Sequence, residues 1–174
     1  MAVTASDRSR EAIAAFFFSI LKRSRKDGSW DVDGIVNLSG MNPMTRFPIK
    51  FGKVGKTFNC HNCVHLTSLE GSPTTVGGSF SCHNCSSLTS LEGASKTVGR
   101  GFECTYCSSL TTLEGSPKTV NLWFNCSFCR SLTSLEGALT MVGDWFDCRN
   151  ACGGMKFTVD EVREHCDVKG NIHV

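Results

Sequence analysis

Residues 58–71 read FNCHNCVHLTSLEG and residues 80–93 read FSCHNCSSLTSLEG, so one frame recurs 22 positions later. The step continues along the chain. It links Phe58, Phe80, Phe102, Phe124 and Phe146, and it links Cys60, Cys82, Cys104, Cys126 and Cys148. Cys63, Cys85, Cys107 and Cys129 follow it, as do the leucines from Leu66 and Leu69 and the valines from Val76. The unit is F-x-C-x-x-C-x-x-L-T-[ST]-L-E-G-x-x-x-x-V. A fixed period of this length marks a repeat architecture, and it decides how every motif inside the period is read.

One step before the first clear unit, Val36, Leu38, Met41, Met44, Phe47 and Val54 occupy the places of Phe58, Cys60, Cys63, Leu66, Leu69 and Val76. Both cysteine sites therefore accept plain apolar side chains and are expected to point inward. A buried cysteine behaves as a small hydrophobe with a weak donor. A unit this short cannot enclose a core alone, so units must stack, each adding one short strand to a parallel sheet. Phe58 and Cys60 are two apart and share the inward side of that strand. The Glu-Gly step supplies the turn, and Pro73 and Pro117 stiffen the return.

The expected fold is mainly β: a parallel β solenoid of about six rungs, starting near residues 36, 58, 80, 102, 124 and 146, with helical caps at both ends. At about 4.8 Å per rung it would be on the order of 29 Å long. Residues 1–29 form an N-terminal capping helix and basic linker, 30–154 the solenoid, and 155–174 a C-terminal cap. Ile13, Phe16, Phe17 and Ile20 make one apolar helical face over Asp7 to Lys22. Thr158-Val-Asp-Glu161 is a capping box that opens a helix over about 159–166, and the tail from Val168 adds a final strand.

These motifs resemble leucine-rich repeats, and more narrowly the short LTSLEG-type repeat proteins encoded by tailed bacteriophages. The resemblance covers roughly Trp30 to the C-terminus. It places the second cysteine near the asparagine that bonds to the turn backbone in many leucine-rich repeats. It implies a binding or structural solenoid, made in the host cytoplasm and carried in the virion as a capsid or tail accessory. An inhibitor of a host protein, made during infection, is the reading that differs only in location.

The cysteines keep three readings. C-x2-C-x18-C-x2-C falls inside the zinc-site template, but a zinc site gathers ligands in closed fours, whereas here every interval is equal. Disulfides between neighbouring rungs or within a CxxC are geometrically open, and they would persist only in an oxidising setting. Free buried thiols are the third reading. Redox catalysis uses one activated pair at a helix N-terminus, unlike a ladder of copies. Cys152 sits one residue out of register and Cys166 lies outside the repeats, so these two are the expected cross-linking sites, to each other or to another chain.

With 18 Lys+Arg against 16 Asp+Glu the net charge is +2, which gives no field for nucleic acid or a membrane surface. The apolar run 12–21 is too short to span a bilayer and lacks a signal-peptide cleavage site. No nucleophile triad, phosphate loop or carboxylate pair stands out. The expectation is a non-catalytic protein with no metal and no cofactor, binding a protein partner and not a small molecule.

If Phe and Cys point inward, their neighbours form an outward face in columns. One column reads Ile35, Thr57, Ser79, Gly101, Trp123, Trp145; another reads Asn59, Ser81, Glu103, Asn125, Asp147; a third reads His61, His83, Thr105, Ser127, Arg149. Tyr106 and Phe128 lie just beyond. Trp123, Trp145, Tyr106, Phe128, Asp147 and Arg149 are the expected partner-binding residues. The alternative is that the tryptophans pack on the C-terminal helix or tail. Glu70, Glu92, Glu114 and Glu136 also stack, as a solvated edge or as a cation site.

Overall fold

The computed structural model describes residues 23–42, 44–154 and 156–174. The expected N-terminal helix over Asp7 to Lys22 lies outside the described residues.

Each 22-residue unit contributes two short strands, one more than the sequence pattern predicts. Sheet A takes β2 (Trp30–Val32), β4 (Phe51–Val54), β6 (Thr75–Val76), β8 (Thr97–Val98), β10 (Thr119–Val120) and β12 (Met141–Val142). Sheet B takes β3 (Val36–Asn37), β5 (Phe58–Asn59), β7 (Phe80–Ser81), β9 (Phe102–Glu103), β11 (Phe124–Asn125) and β13 (Phe146–Asp147). A three-residue corner such as Gly77-Gly78-Ser79 joins the strand of sheet A to that of sheet B. The recurring valine was read only as a core position because a two-residue strand is too short to show alternation.

Pairing along both sheets is parallel except at one end, where β1 (Arg23–Ser24) pairs antiparallel with β2. The register is set by the period. Phe58 pairs with Phe80, Phe80 with Phe102, Phe102 with Phe124 and Phe124 with Phe146. Like residues therefore lie over like, and the phenylalanine rings form an internal column with centroids 4.9–5.4 Å apart. The result is a β solenoid of about six turns.

The interior is the set of repeated apolar positions. Phe58, Cys60, Cys63, Leu66, Leu69 and Val76 are each 0 % exposed, as are their counterparts in the next two turns. The degenerate turn fills the same places: Val36, Leu38, Met41, Met44, Phe47 and Val54 are all buried. Each Leu, Phe or Val so buried contributes about 1.5–3 kcal/mol against chain entropy. The Glu-Gly turns close because their glycines take positive φ, 77–90° from Gly71 to Gly137, which an L side chain adopts only with strain. One interior column is flawed. Ser95 occupies the place of Pro73, Pro117 and Leu139, and its buried hydroxyl has no hydrogen-bond partner.

Helix α1 (Val159–His165) forms where expected. Thr158 Oγ1 accepts from the Glu161 amide at 3.2 Å, and the Glu161 carboxylate accepts from the Thr158 amide at 2.7 Å. The helix does not end the stack. The chain continues into β14 (Asp167–Val168), which extends sheet A beside β12, and β15 (Ile172–His173), which extends sheet B beside β13. The single tail strand expected from the sequence is thus a pair, and at this end strands rather than a helical layer extend both sheets. Only Val162 of α1 is buried.

Candidate functional site

The outward face of sheet B carries every residue expected to meet a partner. Trp123 and Trp145 stack with ring centroids 5.3 Å apart and planes within 8°. Both are half-buried. On one side the indole of Trp123 lies against the backbone of Gly101, where any side chain would overlap the ring. On the other, Trp145 meets the edge of His173 in β15, centroids 6.2 Å apart at 77°. The tail thus covers part of Trp145, as the alternative expectation held, while both indoles stay partly exposed.

Tyr106 and Phe128 form a second stack, tighter and flatter, at 4.7 Å and 5°. His83 packs edge-on against Tyr106 at 5.6 Å, and His61 lies 6.5 Å from His83. Tyr106 is 47 % exposed. The backbone beneath this stack is unusual. Tyr106 (φ 59°) and Phe128 (φ 61°) are left-handed, at a turn position that the other rungs fill with Gly40, Asn62, Asn84 and Asn150, all at positive φ. Glycine and asparagine tolerate that conformation, whereas an aromatic residue there is strained by about 1–3 kcal/mol.

Between the two stacks runs the polar column, and most of it serves the turn. The side-chain oxygens of Asn37, Asn59, Asn125 and Asp147 each accept the amide hydrogen two residues on, at 2.9–3.1 Å, just before the left-handed residue. Glu103 instead accepts from Ser81 Oγ at 3.1 Å and Thr105 Oγ1 at 3.4 Å, and Thr105 Oγ1 lies 2.5 Å from His83 Nδ1. Asp147 is only 3 % exposed. Its carboxylate grips the Arg149 guanidinium through Nε at 3.1 Å and a terminal nitrogen at 2.6 Å. Burial pushes the Asp147 carboxyl up, but hydrogen bonds and charge from Arg149 outweigh it and hold the group below its usual value. Asp147 therefore positions the largely exposed Arg149.

Behind this face the thiols are free, and all but Cys152 are buried. They donate to backbone carbonyls: Cys85 to Cys60 O at 3.2 Å, Cys107 to Cys82 O at 3.2 Å, and Cys129 to Cys104 O at 2.9 Å. The second cysteine thus bonds to the backbone of the preceding turn. Burial pushes Cys63 and Cys148 up to about 12 and Cys166 up to about 11. Of the two expected cross-linking sites, Cys166 is buried (3 %) and Cys152 half-buried, and no bridge joins them.

Among the described residues, no group of three or more His, Cys, Asp or Glu is arranged to hold a metal ion. Also among these residues, no helix is long and apolar enough to cross a membrane. Glu70, Glu92, Glu114 and Glu136 are all exposed, in keeping with a solvated edge. No family model, curated protein or solved structure matches the chain. The left-handed column and the second sheet are what the sequence reading missed. The signal for the first was present, since Gly40, Asn62, Asn84 and Asn150 recur at one place in the period.

Proposed function

We propose that the protein is a non-catalytic scaffold that holds a protein partner on the outer face of sheet B, between the Trp123–Trp145 and Tyr106–Phe128 stacks. The carrying observation is the strained backbone at Tyr106 and Phe128. Two aromatic residues occupy a turn that glycine or asparagine would fill without strain, so they answer a demand other than folding.

The chemistry of the face favours a protein over a glycan or a nucleic acid. Sugars stack on open ring faces, and here each ring gives one face to its stacking neighbour, while Trp123 lies on Gly101 and Trp145 and Tyr106 each meet a histidine as well. Ring edges carry partial positive charge and suit carbonyl oxygens, carboxylates and the faces of a partner's aromatic rings. Arg149 adds a donor held in place. A net charge of +2 supplies no general attraction for a phosphate backbone. The LTSLEG motif extends the proposal to a leucine-rich-repeat-like accessory of a phage particle, decorating or linking capsid or tail subunits.

The test compares the wild type with Trp123→Ala/Trp145→Ala and with Tyr106→Asn/Phe128→Asn, each checked for native circular dichroism. Co-sedimentation with purified phage particles should fall at least tenfold for both double variants. Unchanged co-sedimentation of folded variants rules out the face. Wild type that never accompanies particles removes the virion role.

A further inference from the structure

The thiol columns are offset in a way the sequence period hides. In-register stacking would bring like cysteines together, 22 residues apart. The second cysteine of each turn instead reaches back to the first cysteine of the turn before, 25 residues away. Cys85 Sγ lies 3.2 Å from the Cys60 carbonyl, Cys107 Sγ 3.2 Å from that of Cys82, and Cys129 Sγ 2.9 Å from that of Cys104. Cys60 and Cys85, Cys82 and Cys107, and Cys104 and Cys129 are side-chain neighbours, and among the like cysteines Cys107 and Cys129 are neighbours too. The series stops at both ends for a visible reason. Cys63 reaches back to Leu38, which has no sulfur, and the residue that would reach back to Cys126 is Ala151.

We propose that Cys60–Cys85, Cys82–Cys107 and Cys104–Cys129 are three oxidative modification sites, each closing to a disulfide that staples one turn to the next. The co-reactant is a small disulfide such as oxidised glutathione. One thiolate of a pair attacks its sulfur, forming a mixed disulfide and releasing one reduced glutathione. The second thiolate then displaces the other glutathione and completes the protein bridge. Two thiol protons leave to solvent or to the departing thiolates, and the two electrons reduce one oxidised glutathione to two reduced molecules. The pairs are inaccessible in the closed stack, so the reaction proceeds while turns are assembling or locally open. Cys63, Cys126 and Cys148 lack a counterpart and stay reduced.

The test refolds the full chain in oxidised and reduced glutathione, alkylates the remaining thiols and maps bridges by proteolysis and mass spectrometry. The expected product has lost six hydrogens and carries the three 25-residue pairs, with Cys63, Cys126, Cys148, Cys152 and Cys166 alkylated and Tm raised. Bridges within a CxxC, bridges between like cysteines 22 apart, or a natively folded product with every ladder thiol alkylated would each overturn the assignment. A second variant makes the offset itself the readout: Ala151→Cys should add a fourth bridge, to Cys126. If the new thiol pairs elsewhere or stays free while the other three form, the offset is not the rule.

Discussion

Sheets A and B are made by the same turns and held in the same register, yet their outward columns differ. On sheet A the paired column beside the valines reads Lys53, Thr75, Thr97, Thr119, Met141 and Asp167, with three threonines on adjacent strands at its centre, a β-branched residue that suits an exposed strand. On sheet B the corresponding faces hold tryptophan, tyrosine, phenylalanine, histidine, glutamate and arginine. Since the two faces share one interior and one backbone plan, folding alone accounts for the threonines and not for the variety opposite. The variety also has a stability cost at Tyr106 and Phe128. Sheet A shows what the stack requires of an outward position, and sheet B shows what has been added to it.

The comparison presumes a common dry interior, and pH tests that most severely. An ordinary thiol has a pKa near 9.0, whereas burial pushes Cys63 and Cys148 up to about 12 and Cys166 to about 11. Above pH 9 the unfolded chain gives up these protons and the folded chain keeps them. Stability is therefore complete below that pH and falls as the pH rises towards 11–12. Each such thiol contributes a slope of about 1.4 kcal/mol per pH unit, and several together should unfold the chain. Urea denaturation under reductant at a series of alkaline pH values measures this, and Cys63→Met, which copies Met41 of the first turn, should make the slope shallower. A flat profile would mean that the thiols are open to water and that the two faces do not share a sealed core.

The next-largest effect lies inside the stack, at Ser95. Ser95 is the one polar residue in a column of Pro73, Pro117 and Leu139, and its hydroxyl is buried without a partner. Ser95→Pro should stabilise by about 1–3 kcal/mol, read as a rise in the urea midpoint with an unchanged slope. A loss of stability would show that the column tolerates polar groups and is not read by the fold.

What was legible follows from how strongly each position is constrained. The interior could be read to the residue, because stacking forces the same side chain into the same place at every turn, and Leu38 and Met41 reveal that the cysteine sites are apolar. Outward tryptophans could be placed by parity alone. Sheet A was not legible, since two-residue strands such as Thr97–Val98 have no alternation to detect. Nor was the role of Asn59, Asn125 and Asp147, whose oxygens hold the turn amide two residues on, a bond that depends on the left-handed residue beyond it. Asp147 was therefore counted among residues free to meet a partner when its carboxylate is committed to Arg149.

On sheet B the added demand should be removable at a gain. Tyr106→Asn and Phe128→Asn restore the residue that Asn62 and Asn84 show to be relaxed there, so each should stabilise by about 1 kcal/mol, less what the lost ring stack contributes. Thermal denaturation of the single and double variants decides it. A rise in Tm together with loss of association is the pattern of a residue kept for recognition. A fall in Tm would make the stack a structural device.

Sheet A supplies the smallest effect and the sharpest control. Thr97 and Thr119 pair across neighbouring strands, and such a pair contributes roughly 0.2–1 kcal/mol relative to alanine. Thr97→Ala/Thr119→Ala should lower stability by no more than that and leave co-sedimentation with particles unchanged. Both halves are needed. A surface that is merely the outside of a strand tolerates truncation with a small loss of packing, whereas a recognition surface loses its partner well before it loses its fold. If this double variant fails to co-sediment while its urea midpoint stays put, the threonine patch of sheet A is the one being read, and the aromatic stacks of sheet B need another explanation.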